Sequence, residues 1–220
     1  MTTHDLRTQA LAAMLAALAG YVDAFGFLTT GGYFVSFMSG NSTRMGIGVA
    51  SGDRDALTAA GLILCFLVGV IGGALLGHAA RDRRRSAVLL AVASLLAASA
   101  AFSASATTPL VAAPLALSMG MINNVVERNG EVSIGVTYMT GSLVKLGQRI
   151  AAAILGTDRR SWAPYLALWL SFVAGVLCGA ASFSRVGWSG LYGPAVVAAI
   201  LGLGTWDRAG PNRRKGSTAE

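Results

Sequence analysis

Charge is scarce in this chain: Asp, Glu, Lys and Arg make up only 12% of its 220 residues, about half the roughly 25% usual in soluble domains. That scarcity excludes a solvated globular surface. Histidine is confined to His4 and His78, and cysteine to Cys65 and Cys178, each isolated in apolar sequence. No CxxC, HExxH or GxSxG pattern and no glycine-rich phosphate loop occurs. Metal chemistry, hydrolysis and ATP-driven transport by this chain alone therefore have no foothold, and it reads as a non-enzyme that needs no cofactor. The two cysteines read as small packing residues. Acidic residues are outnumbered by basic ones, for a net charge of +7. Because the basic residues sit in short loops and at the C-terminal end, they point to orientation in a bilayer rather than to nucleic acid.

What is present is apolar. Hydrophobic residues make up 54% of the chain and the mean hydropathy is +0.61. Several runs reach the ~18 to 20 residues that cross a hydrocarbon core as a helix, which predicts an all-α, multi-spanning membrane protein. The apolar segments are 8–28, 32–50, 56–80, 86–105, 108–127, 133–156, 162–184 and 187–206. The first reads as a retained span rather than a signal peptide, since no small-residue cleavage site follows it. Trp162, Trp169, Trp188 and Trp206, with Tyr165 and Tyr192, fall near segment ends as an interfacial belt would.

Two segments break the apolar pattern. "FMSGNSTRMG" at 37–46 sets Asn41, Ser42, Thr43 and Arg44 in a row, and "YMTGSLVKLG" at 138–147 repeats the Met, hydroxyl, Gly opening with Lys145 in the basic position. Eight full crossings would leave Arg and Lys almost evenly divided between the two sides. If the two motif segments instead dip in and return, Arg7, the Arg residues of "RDRRR", Arg128, Arg159, Arg160 and the basic tail share the cytoplasmic side. Only Arg54 and Arg185 then lie outside. The positive-inside rule favours the second arrangement: six transmembrane helices plus two broken or re-entrant segments, with eight full spans as the alternative. Gly31, Gly32, Gly40, Gly46 and Gly48 in one segment, and Gly130, Gly135, Gly141 and Gly147 in the other, also make poor continuous helices.

The halves align. Gly20 matches Gly120, Val35 Val136, Met38 Met139, Gly40 Gly141, Arg44 Lys145 and Gly46 Gly147; further on, "CFLVGVIGGA" at 65–74 matches "SFVAGVLCGA" at 171–180. This divides the chain into a first half, 1–105, a second half, 106–207, and a basic cytoplasmic tail, 208–220, expected to be disordered. With three crossings per half, the repeats would be inverted, and the motif segments would meet at the midplane facing a cavity. Gly69 with Gly73 and Gly175 with Gly179 have the spacing that brings helices close, here for internal packing.

The segments "GYVDAFGFL", "FVSFMSGNSTRMG" and "TYMTGSLVKLG" together resemble the YoaK-like family of bacterial integral membrane proteins, defined by a domain of unknown function, over nearly the whole chain. The resemblance implies a multi-pass inner-membrane protein of unassigned activity and supplies no substrate or catalytic residue.

Among the polar residues, Asp23 is the costliest to place in a membrane. It reads either as a proton or cation site or as a structural acid, ion-paired with Arg44 or wet near the interface. Its repeat counterpart is Asn123 or Asn124. Arg44 and Lys145 are candidates to hold an anionic or zwitterionic solute, or else they snorkel to headgroups. Ser39, Asn41, Ser42, Thr43, Thr140 and Ser142, beside Gly40 and Gly141, offer neutral donors and acceptors. They can replace a solute's hydration or satisfy backbone groups where helices break. The expectation is a transporter or channel for a small polar or charged solute, its pathway between the two motif segments, in the bacterial inner membrane with both termini cytoplasmic. It would contact lipid and the solute, bind no nucleic acid, and be free to form a homo-oligomer. The alternative is a non-transporting scaffold or accessory subunit that binds a partner helix.

Overall fold

In a computed structural model, the structure describes residues 6–53, 55–102, 108–128, 131–132, 136–157 and 160–206. The predicted tail, Arg54 and Arg159 lie outside the described residues. The described residues are almost entirely helical: α1 Leu6–Thr29, α2 Met38–Ser51, α3 Asp55–Ala80, α4 Arg84–Phe102, α5 Thr108–Ile122, α6 Met139–Ile154, α7 Ala163–Val186 and α8 Tyr192–Trp206. Short 3-10 turns, Arg81–Arg83 and Gly187–Leu191, end α3 and α7, and two residue pairs, Glu127–Arg128 and Glu131–Val132, form a minimal antiparallel ladder. Among the described residues, three helical runs are long and apolar enough to cross a membrane: Thr8–Thr29, Ala56–Phe102 and Ala163–Thr205. The second and third, of 47 and 43 residues, are each more than twice the ~20 residues one crossing needs, and each is broken into two helices at its 3-10 turn.

Apolar side chains cover the outside of the bundle as well as filling its core. Leu57, Leu64, Leu67, Ile71 and Leu75 are exposed along α3, as are Val196, Ile200 and Leu203 along α8. Water would penalise so continuous an apolar surface, whereas lipid does not. The buried core is built instead from α1 and α5, the first helix of each half, with α4: Leu15, Val22 and Phe25, then Leu115, Met119 and Ile122, then Val88, Val92 and Leu96. The structure is that of an all-α membrane protein.

Contacts fix the helix directions. Gly175 of α7 faces the backbone of Ala17 and Gly179 faces that of Tyr21, so α7 runs parallel to α1; Phe25 stacking edge-on against Phe183 extends the register. Gly69 faces Leu117 and Gly73 faces Met121, so α3 runs parallel to α5. The C-terminal end of α1 shares a cleft with Leu57–Cys65 of α3 and with Ala112 of α5, near their N-terminal ends, so α3 and α5 both run opposite to α1. The Ser86 and Thr205 hydroxyls, 3.0 Å apart, bring the start of α4 to the end of α8.

These contacts are reciprocal between the halves. Gly20 of α1 lies against Phe172 and Val176, and Gly120 of α5 against the matching Phe66 and Val70. A Cβ on Gly20, Gly69, Gly120 or Gly175 would collide with the carbonyl opposite, so glycine is required for these helices to approach so closely. The GxxxG pairs therefore serve contacts within the chain.

Two expectations need correction. The motif helices begin at Met38 and Met139, later than the apolar runs suggest. For the first, Gly31 and Gly32 adopt φ of +74° and +103°, left-handed values that end α1 and that β-carbons disfavour. Nor do the two motif helices pack on one another: α2 packs along α3 and α6 along α7, with no substantial α2 and α6 interface among the described residues. Each is tied to its own half by close packing on the neighbouring span: Gly48 of α2, for instance, sets that helix against Ala56 at the start of α3.

Candidate functional site

Between α1 and α2 the chain leaves the helix from Gly31 to Phe37, and the N–H groups of four consecutive residues there would otherwise lack partners. Each is satisfied by a side chain. Tyr33 donates to Thr30 Oγ1 at 3.0 Å, Phe34 to Asn41 Oδ1 at 3.0 Å, and Val35 and Ser36 both to Asp23 Oδ1 at 2.9 Å. Asn41 also returns a bond from Nδ2 to the Phe34 carbonyl at 2.6 Å. Non-helical backbone at membrane depth must find partners within the protein, and the polar run beginning at Asn41 supplies part of that need. Asn41 is 0% and Asp23 5% exposed.

Asp23 is therefore neither ion-paired with Arg44 nor wet at the interface. The Arg44 guanidinium instead lies over the Tyr33 ring, 4.5 Å from its centroid, and against Gly32. In the second half, Asn123 Oδ1 accepts from Thr137 Oγ1 at 3.1 Å. Thr137 corresponds to Ser36, so Asn123 is the counterpart of Asp23. Asn124 has a different task, donating to the Val70 carbonyl at 3.1 Å and so tying the end of α5 to α3, while Arg84 Nε donates to the Asn124 carbonyl. Residues 133–135 and Gly130 lie outside the described residues.

The remaining candidate residues divide by exposure. Ser142 is buried at the start of α6, in the position matching Asn41. Ser39, Thr43, Thr140, Gly141 and Lys145 are exposed; the Thr43 hydroxyl bonds the Ser39 carbonyl one turn back, as Ser42 does that of Met38. Gly40 lies under the rings of Phe37 and Phe34. The structure thus gathers Asp23, Asn41 and Gly40 around the unwound segment, with Arg44 at its edge, and leaves Lys145 apart.

Among the described residues, a cleft and a groove flank this segment. A cleft of about 710 Å³ lies on its α3 and α5 side, lined by Thr29, Thr30, Gly31, Tyr33, Thr58, Gly61 and Cys65 among others. A smaller groove of about 330 Å³ lies on the α7 side, lined by Asp23, Phe27, Phe34, Phe172 and small or aliphatic neighbours. Thr29, Thr30 and Thr58 were not predicted as site residues, because single hydroxyls at the ends of apolar runs carry no sequence signal that separates a cleft wall from a helix end. Among the described residues no cluster of His, Cys, Asp and Glu could hold a metal ion.

The fold and this segment define a class: polytopic helical membrane proteins with irregular backbone held inside the bundle. Residues 11–204 match the family described as a protein of unknown function, DUF1275, and the chain belongs to that family. A UPF0700 transmembrane protein of Rhizobium meliloti (strain 1021) is 33% identical over 193 residues, covering 87% of this chain and 83% of its own length. No solved structure matches the chain.

Proposed function

We propose that the protein is a secondary transporter or channel for a small polar or charged solute in a bacterial inner membrane. The carrying observation is the 710 Å³ cleft beside side-chain-held, non-helical backbone. Such backbone within a membrane is characteristic of solute and ion sites. Thr29, Thr30 and Thr58 line the cleft, the Thr29 and Thr30 hydroxyls donating to carbonyls of α1, and Arg44 stacks on Tyr33, itself a lining residue. An anionic or zwitterionic solute fits that pairing. The pathway then runs along the first motif segment rather than between the two.

The proposed topology is six crossings with two returning motif helices, both termini cytoplasmic, and halves related by inversion. Its support is directional: α3 and α5 oppose α1, while α7 parallels it, so α2 and α6 each return to the face they left. The YoaK-like resemblance agrees with this multi-pass reading, and no enzymatic role or cofactor is proposed.

The test is flux into vesicles holding purified protein, with anionic, zwitterionic and neutral solutes compared. Gly61 borders the cleft and has open space where a Cβ would go, so Gly61→Leu starts from an unobstructed position and narrows the cleft. Flux of the transported solute is expected to drop at least tenfold with the melting temperature unchanged. Undiminished flux in that variant removes the cleft as the route. No flux from the parent, together with a stoichiometric partner recovered from native membranes, favours the scaffold reading.

A further inference from the structure

The two halves solve one structural problem with different chemistry. At the matching position of the second half stands a neutral amide, Asn123, whose Oδ1 accepts from the Thr137 hydroxyl, whereas Asp23 accepts the N–H groups of Val35 and Ser36 with a carboxylate. An amide oxygen accepts an N–H as a carboxylate oxygen does, so the negative charge of Asp23 is more than holding backbone N–H groups requires. A buried acid within a span is costly unless its charge is answered. Two backbone N–H groups and the Ser36 hydroxyl bond it, but among the described residues no Lys, Arg or His reaches it. Arg44, nearest in the motif, is engaged with Tyr33.

Asp23 also lines the 330 Å³ groove, and three aromatic rings line it with the acid: Phe27, Phe34 and Phe172. Phe27 and Phe34 sit with centroids 5.0 Å apart, tilted by 44°, and Phe172 comes from the facing helix α7. Aromatic faces around a carboxylate suit a cation whose charge is spread over an alkylated nitrogen, because the rings attract it through their quadrupoles and exclude water. A small inorganic cation would want oxygen ligands, which the groove lacks beyond Asp23. We propose that this groove is a binding site for an organic ammonium group, with Asp23 as countercharge and Phe27, Phe34 and Phe172 as an aromatic wall. The site lies on the opposite side of α1 from the cleft and stands whether or not the cleft conducts.

The probe is choline, with neutral 3,3-dimethylbutan-1-ol as its isostere, titrated against the purified full chain in a maltoside detergent while its melting temperature is followed. Choline is expected to raise the melting temperature saturably and the isostere to leave it unchanged. Asp23→Asn, which copies the second half's own solution, is expected to fold and to lose the choline response. Phe172→Leu keeps an apolar wall without the ring and is expected to weaken binding by roughly three- to thirty-fold; it carries the test if Asp23→Asn does not fold. The ammonium group can come from a free solute or from a lipid headgroup. In phosphatidylglycerol and phosphatidylcholine nanodiscs, equal choline binding marks a free solute, and choline binding lost only in phosphatidylcholine marks the headgroup. Equal response to choline and its isostere, or an unaltered choline response in Asp23→Asn or Phe172→Leu, overturns the proposal.

Discussion

Asn41 shows how one residue carries a whole segment. Its amide both accepts from and donates to the backbone of Phe34, seven residues earlier, closing a ring that a longer or shorter side chain would not close. Asn41→Ala leaves two buried polar groups unpaired, each worth about 1–3 kcal/mol. A fall in stability of about 2–4 kcal/mol is expected, read as a lower unfolding midpoint in detergent. Ser42→Ala removes only an exposed bond to a carbonyl already within the helix, and its midpoint is expected to stay within about 0.5 kcal/mol of the parent. Asn41 was recognisable in sequence as a polar residue out of place. Its partner was not, because nothing in the spacing says that the chain leaves the helix between Gly31 and Phe37. For Asp23, sequence reasoning offered Arg44 as partner on charge alone; the backbone N–H groups of Val35 and Ser36 are acceptor-seeking groups that no sequence pattern displays.

At the scale of elements, the spans were legible because lipid demands long apolar runs. The expected 56–80 and 162–184 correspond closely to α3, Asp55–Ala80, and α7, Ala163–Val186. The starts of α2 and α6 were missed by several residues, since the apolar content of "GGYFV" and, among the described residues, of "VTY" at 136–138 continues through chain that is not helical. Glycines have unequal meaning here. Gly175 of α7 faces a carbonyl on α1, so Gly175→Ala pushes the helices apart and is expected to cost about 1–3 kcal/mol, as overpacking does. Gly147 of α6 has nothing near its missing Cβ, so Gly147→Ala is expected to be neutral or to stabilise by up to about 1 kcal/mol through helix propensity. Comparing the two midpoints in one detergent separates packing glycines from incidental ones.

For the whole molecule, the proposed topology makes a sided prediction. Arg85 and Thr157 are exposed and lie outside helix interiors or at a helix start. Single cysteines at these positions, in a background with Cys65 and Cys178 replaced by alanine, are expected to react with an impermeant maleimide only from the cytoplasmic face. Labelling from opposite faces means that α6 crosses fully, which is incompatible with α5 and α7 running in opposite directions. The proposed arrangement rests on charge placement in the sequence and, separately, on the helix directions.

Composition and hydropathy alone determined that this is a helical membrane protein, because a bilayer constrains length, apolarity and loop charge so strongly that few alternatives survive. The sequence also marked the motif segments as exceptional. Only the tertiary structure decided that each motif helix stays with its own half, that Asp23 and Asn41 face backbone rather than Arg44, and that a hydroxyl-lined cleft and an aromatic groove lie on either side of α1. These depend on which surfaces come within a few ångströms after the helices cross. That crossing is set by glycines meeting carbonyls between the halves, a relation between distant positions that no local pattern records.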